Sequence, residues 1–273
     1  MIEKFEGVIT ALEPVSHVEK TIGIVSKFRR EKVFVDGHVE LVPLVSGNSL
    51  RGLLRRCGAR HLMQCLKLGE KDVSVYFNHV LFRGGMLKRG EAAVPNPNFE
   101  CKFRETFPLL SVFGTAVRQQ LIHSKLNVGL LVPIAAETTP LTQVPSNVSV
   151  WDLCQQVQYT RRDDRQQKDP DPANDNQRGP LQPEQMLYRT EVLIPGTKFT
   201  HYFELKDATP VERACLMRCL SEFQSGEMRI GGNARIGHGR VSWSYEVKDT
   251  KAYDDHIANR KDDIIKLIGE LDE

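Results

Sequence analysis

The 273-residue sequence carries none of the common catalytic signatures. It has no HExxH, GxSxG or Walker sequence, and its eight histidines do not pair at ligand spacing. Conventional zinc-peptidase, serine-hydrolase and P-loop chemistry therefore have no starting point, and no metal or cofactor is expected. The six cysteines (Cys57, Cys65, Cys101, Cys154, Cys215, Cys219) include no CxxC pair, which argues against zinc and disulfides and for reduced core thiols in a cytoplasmic protein. The opening MIEKFEGVIT has charge and no long apolar run, so it is neither a secretory signal nor an anchor. Nothing downstream approaches the length that spans a bilayer. Excess charge of one sign is also missing. With 37 Lys and Arg against 35 Asp and Glu the formal net charge is +2, so any basic surface must be local.

What is present is a succession of strand and helix signals, with a hydrophobic fraction of 40% that suffices for a core. Residues 2–12, IEKFEGVITAL, alternate as an opening strand that Glu13-Pro14 ends. KVFVDGHVELVPLV (32–45) reads as two strands hinged at Asp36-Gly37. Leu50, Leu53, Leu54, Cys57, His61 and Cys65 then form one helical stripe, with Ser49 as N-cap and Gly69 as stop. Arg51 and Arg55, four residues apart, share another side and predict a cationic face. RGG (83–85) and VPNPN (94–98) argue for loops.

ETFPLLSVFGTAV (105–117) reads as a short helix ending near Gly114, and LNVGLLVPIAAE (126–137) as one buried strand. Residues 158–185 are so polar that burial cannot offset their ordering entropy, which predicts a long mobile insertion. YRTEVLIPGTKFTHYFEL (188–205) gives two strands around Pro195-Gly196. PVERACLMRCLSEFQ (210–224) gives a helix opening on proline, RVSWSYEV (240–247) a closing strand, and a charged helical tail begins near residue 252. This order describes a split βαβ arrangement of the α+β class, a ferredoxin-like or RRM-like sheet covered by helices.

Three segments concentrate positive charge. In GGNARIGHGRV (231–241), Gly231, Gly232, Gly237 and Gly239 flank Arg235 and His238, and the combination suits an anionic backbone approaching exposed N–H groups. The plainer alternative is a tight turn with solvated arginines. In PLVSGNSLRGLLRR (43–56), a helix N-terminus at Ser46–Ser49 favours an anion, and Arg51 and Arg55 could grip successive phosphates. An ordinary capped helix is the other reading. KFRREK (27–32) sets Lys27, Arg29, Arg30 and Lys32 around Phe28, a pattern that suits a single strand but also an ordinary charge run. His17, just after the first strand, is either structural or a ligand contact.

In their order along the chain, PLVSGNSLRGLLRR, LLSVFGTAV, YRTEVLIPGTKFTHYFEL and RIGGNARIGHGRV resemble the RAMP superfamily of CRISPR effector proteins, specifically the backbone subunits that polymerise along the guide (crRNA). The resemblance implies a palm made of residues 1–137 and 188–247, a thumb insertion at 138–187 that is partly mobile, and the charged helical tail at 248–273. It implies crRNA contacts at His17, Ser49, Arg51, Arg55, Gly231, Gly232, Arg235 and His238, to which the basic stretch adds Lys27, Arg29 and Arg30. Expected partners are crRNA, a complementary DNA or RNA target, further copies in a filament and other effector subunits, with no membrane.

Target-cleaving relatives carry an aspartate after the histidine. This sequence offers only Glu19, Glu31 and the hairpin-turn Asp36, so binding without cutting is expected. The alternatives are a metal-dependent endoribonuclease that cleaves target RNA, and a standalone mimic that inhibits an effector.

Overall fold

The opening alternation becomes β1 (Ile2–Ala11), and both of its edges are paired. Two hairpins follow, β2 (Val18–Ile22) with β3 (Val25–Phe28) and β4 (Arg30–Val35) with β5 (His38–Pro43), then the long helix α1 (Gly47–Leu66). Helices α2 (Val75–Arg83), α3 (Pro97–Thr106) and α4 (Pro108–Phe113) lead to a small hairpin, β6 (Thr115–Val117) and β7 (Gln120–Ile122). Next come β8 (Leu126–Val128), β9 (Val132–Pro133) and the single turn α5 (Thr139–Thr142). A long hairpin, β10 (Cys154–Arg162) and β11 (Gln185–Leu193), precedes β12 (Lys198–Lys206), α6 (Pro210–Ser225), β13 (Val241–Trp243), α7 (Lys251–Asn259) and α8 (Lys261–Asp272). The computed structural model describes residues 1–35, 37–69, 71–87, 96–162, 185–226 and 228–272. Most of the polar stretch 158–185, and the hinge residue Asp36, lie outside the described residues.

The central sheet has the order β13-β1-β12-β8, every neighbour antiparallel, with β9 extending the β12 edge. Two strand–helix–strand crossovers therefore interleave: α1 lies between β1 and β8 in the chain, and α6 between β12 and β13. Register places Phe5 opposite Phe203 and Ile9 opposite Phe199, so the period-two apolar sets of both strands share one face. That face is buried with α1, α4 and α6 in one large core. The opposite face carries Lys4, Glu6, Tyr202 and Glu204.

A second sheet, β10-β11-β3-β2, joins the long hairpin in parallel to β3 (Arg189↔Val25, Thr190↔Ser26). The expected insertion is thus anchored from 154 to 193, and residues 158–162 and 185 belong to strands. The expected single strand over 126–137 splits into β8 and β9. Between them Leu131 leaves β12 to exchange hydrogen bonds with Val45 (3.0 and 3.2 Å).

The N-cap of α1 lies three residues before the expected one. Ser46, not Ser49, accepts from the Asn48 amide (3.3 Å), and Lys67 closes the helix in the left-handed region (φ 59) before Gly69 is reached. Its buried surface is two adjacent stripes, because α1 packs against α2, α4, α6 and α7 at once. This turns Cys65 out to solvent. Cys101 is exposed too, so the expectation of uniformly buried thiols holds for Cys215 and Cys219 and not for these two.

The terminal segment is not a free appendage. Tyr253, Ile257, Ile264, Leu267, Ile268 and Leu271 are buried in the main core, and α7 lies on α1 and α6. Its high charge hid a helical apolar stripe. No helix among the described residues is long and apolar enough to cross a membrane. Ile257→Ala is expected to lower the unfolding free energy by about 2–4 kcal/mol through cavity formation. Exposed Lys266→Ala should stay within about 0.5 kcal/mol. Urea midpoints decide, and similar midpoints for the two variants would contradict the tail's place in the core.

Candidate functional site

The site is organised around Ser16 and His17, which follow β1. Val15 is held by a reciprocal backbone pair with Leu193 (2.9 Å each way), so the next two residues leave the sheet at a fixed place. Ser16 is fully buried. Its carbonyl accepts from the Gly232 amide (2.8 Å) while its hydroxyl donates to the Gly232 carbonyl (2.9 Å). One residue on, His17 Nε2 accepts from the Ser46 amide at 3.2 Å, which requires that nitrogen to be unprotonated. Burial, with help from the Arg29 charge, holds His17 below the ordinary imidazole value and keeps that acceptor available. The glycine-rich loop and the start of α1 are therefore tied to two consecutive residues. His17 is half-buried between them, with its ring edge-on to Phe28.

At the start of α1, Gly47 is set against the turn after β8. A Cβ there would lie 2.3 Å from the Val128 carbonyl oxygen, so only glycine admits this approach. Asn48 is exposed and Ser49 partly so. Arg51 and Arg55 do not form the expected solvent-facing pair. Arg55 is only 6% exposed, and its guanidinium donates to the carbonyls of Val80 (3.4 Å), Phe113 (2.8 Å) and Gly114. Half-buried Arg51 also donates to the Phe113 carbonyl. These oxygens belong to helix ends, where carbonyls lack intrahelical partners and negative dipole accumulates. Burial, then the nearby Arg51 charge, lowers the Arg55 guanidinium to about 10.

The loop 231–241 is part closed and part open. Gly231 (φ 75) would bring a Cβ to 2.0 Å from the Ser16 carbonyl oxygen, and Gly239 hydrogen-bonds back to Pro14 (2.8 Å). Those two glycines serve closure against the protein's own chain, not approach of a ligand. The tip, Gly232–Gly237, is exposed, and Arg235 sits there with no partner among the described residues. His238 is 2% exposed and is not a surface contact. Its Nε2 bonds the Tyr159 hydroxyl of β10, and burial lowers its pKa against the pull of Glu13. Arg229 pairs with Glu13 and donates to the His238 carbonyl (2.9 Å), bracing the loop's base.

The stretch 27–32 departs furthest from its sequence reading. Phe28 is buried in the core instead of lying open for stacking. Glu191, 7% exposed, accepts from Lys27 (2.7 Å) and the Phe28 amide (3.0 Å) and pairs with Arg30 (3.1 Å). Arg29 is taken by Glu31 (2.6 Å). Burial pushes the Glu191 carboxyl up, but these donors outweigh it and hold it below the usual carboxylate range. Glu19 lies on exposed β2, Glu31 is committed to Arg29, and Asp36 is outside the described residues.

Sequence reasoning missed Ser16, Glu191 and Tyr159. Glu191 was in view within YRTEV, but nothing pointed to its partners 160 residues away. Ser16 had only its position beside His17, and Tyr159 had no signal.

A profile of the RAMP superfamily matches residues 21–242, most of the chain, including the start of α1, the β10–β11 hairpin and the glycine-rich loop. The chain belongs to the RAMP superfamily. Among solved structures, this RAMP chain is similar to a chain of a structure titled "Type IV-B CRISPR Complex". The TM-score is 0.64 and the identity 24%, over 89% of this chain and 90% of that one, a likeness of fold. Comparison with curated proteins gives no match.

Two predictions follow from the buried polar groups. Arg55→Met takes the guanidinium from the Gly114 carbonyl and one donor each from the Val80 and Phe113 carbonyls, and should destabilise by about 3 kcal/mol or more. Exposed Arg56→Ala is the control, and equal melting curves for the two would refute the clamp. His17, whose folded pKa is lowered from 6.5, contributes stability that is complete above that value and lost as pH falls through the folded pKa, because the unfolded chain then binds more protons. Unfolding titrations between about pH 5 and 7 should show a flatter acid-side decline for His17→Asn than for the parent. Parallel declines would mean that the ring carries no such linkage.

Proposed function

We propose that this RAMP chain is a crRNA-binding backbone subunit of a multisubunit CRISPR ribonucleoprotein, oligomerising along the guide and presenting it for target pairing without cutting. Family membership and the fold shared with a chain of a CRISPR complex support the class of assembly. The observation that carries the binding role is the Ser16–His17 joint, which fastens the open loop tip and the N-terminus of α1 to one point. The positive end of the α1 dipole, and Arg235, which has no partner among the described residues, then flank a common track for phosphates.

In this reading the interleaved central sheet is a ferredoxin-like palm, and the β10–β11 hairpin is the root of the thumb. Arg235, Gly232, Asn48, Ser49 and Arg51 meet the guide directly. Arg55, His17, Gly231 and His238 hold those groups in place, and Lys27, Arg29 and Arg30 brace the second sheet through Glu31 and Glu191. A near-neutral chain suits such a subunit, since a narrow basic track serves one strand while other surfaces meet neighbouring copies and other subunits. Sequence would be read by base pairing, as in other guided complexes.

The test is binding of single-stranded RNA by the purified protein across a salt series. The affinity should fall linearly on logarithmic axes, and Arg235→Glu should weaken it by roughly tenfold at every sequence tried. Unchanged binding by Arg235→Glu would remove the loop from the track. Regularly spaced, magnesium-dependent cuts in a complementary RNA would replace this reading with the nuclease one.

A further inference from the structure

Outside the joint lies a second basic feature, a groove of about 460 Å³ between the start of α1, the end of α2 and the β6–β7 hairpin. Asn48, Arg51, Arg55, Arg83 and His123 line it, and no acidic side chain among the described residues does. A concave surface with three guanidinium groups and no carboxylate concentrates anions. The groups differ in what they have left to offer. Arg55 spends its hydrogen bonds on three carbonyls and contributes only its charge, and Arg51 spends one donor on Phe113. Arg83 and His123 are exposed, and their side chains have no partner among the described residues.

Their backbones are nevertheless held. Arg83 ends α2, and Gly84 and Gly85 after it bond across to β6, where the Ala116 amide donates to the Gly84 carbonyl (2.8 Å). The His123 carbonyl accepts from Arg104 (3.0 Å), and the neighbouring Ser124 hydroxyl donates to the Val112 carbonyl (2.8 Å). A guanidinium and an imidazole with open donors on a fixed frame are the arrangement that recognises a phosphate group.

We propose that Arg83 and His123, with Arg51 and Asn48, form a phosphate-binding groove that takes a phosphodiester of the same RNA strand beyond the α1 N-terminus. The choice of a strand over an isolated phosphate rests on the function proposed above and on continuity. Asn48 and Arg51 stand in the first turns of the helix whose start His17 ties to the loop.

The experiment uses the full chain, a fluorescent single-stranded RNA of mixed sequence, and inorganic phosphate at matched ionic strength as competitor. Arg83→Ala with His123→Ala should weaken RNA binding about three- to tenfold and make the slope of log K against log salt shallower by roughly 0.7 per lost contact. Circular dichroism melting should be unchanged. If the pair alters folding, Arg83→Gln alone carries the test. Full RNA affinity and slope in the variant, alongside weakened binding by Arg235→Glu, would overturn the groove and leave the proposed function standing. No effect from either variant would remove both. Phosphate binding that the double variant abolishes, with RNA affinity untouched, would make the groove a free-anion site and overturn the strand assignment. A changed oligomeric state without RNA, at unchanged RNA affinity, would assign the groove to a protein carboxylate and likewise overturn it.

Discussion

Ser16, fully buried, and Gly232 exchange two hydrogen bonds across 216 residues, in a place that leaves no room for a Cβ at the adjoining Gly231. The candidate site around the glycine-rich loop and the start of α1 is placed relative to that exchange. β1 delivers Ser16 because both its edges are paired and because Val15 is pinned to Leu193. The loop that meets Ser16 must then turn left-handed at once, and His17 is left facing the first amide of the helical region. A buried donor and acceptor satisfied by each other rigidify a site more than exposed charges do, since losing either partner leaves the other desolvated.

The same physics explains why several basic residues have become internal struts. Arg55 and Glu191 are both charged and nearly buried, a state that is costly unless every polar atom finds a partner. Arg55 finds its partners at helix ends, so α1, α2 and α4 converge on one guanidinium. Glu191 finds an amine, a guanidinium and an amide on the segment after β2, and so fastens the long hairpin to the root of β1. Charge that looks available in a sequence is, in these places, part of the frame.

The framework was legible where side-chain period carries the information. β1, β4 with β5, α4, α6 and their order could be read from alternation, from Pro210 and from Gly114. Boundaries failed where local signals competed, as at Ser46 against Ser49, or where tertiary contact intervened, as when Leu131 turned aside to Val45. Of the candidate contacts, Arg235 and the α1 start could be placed on the surface from composition alone. His238 and Arg55 could not be placed, because burial is decided by what packs over a residue, and Tyr159, Val80 and Phe113 are distant in the chain. Arg83 and His123 were invisible for the same reason: a groove is a property of three separate elements.

Tyr159 belongs to the long hairpin and His238 to the glycine-rich loop, and a single hydrogen bond makes the two parts one linkage. Coupling through such a linkage is reciprocal in free energy. Whatever stiffens the loop narrows the range of angles open to the hairpin. A hairpin held from elsewhere restrains the loop in turn. The buried imidazole is thereby the point at which the two parts meet.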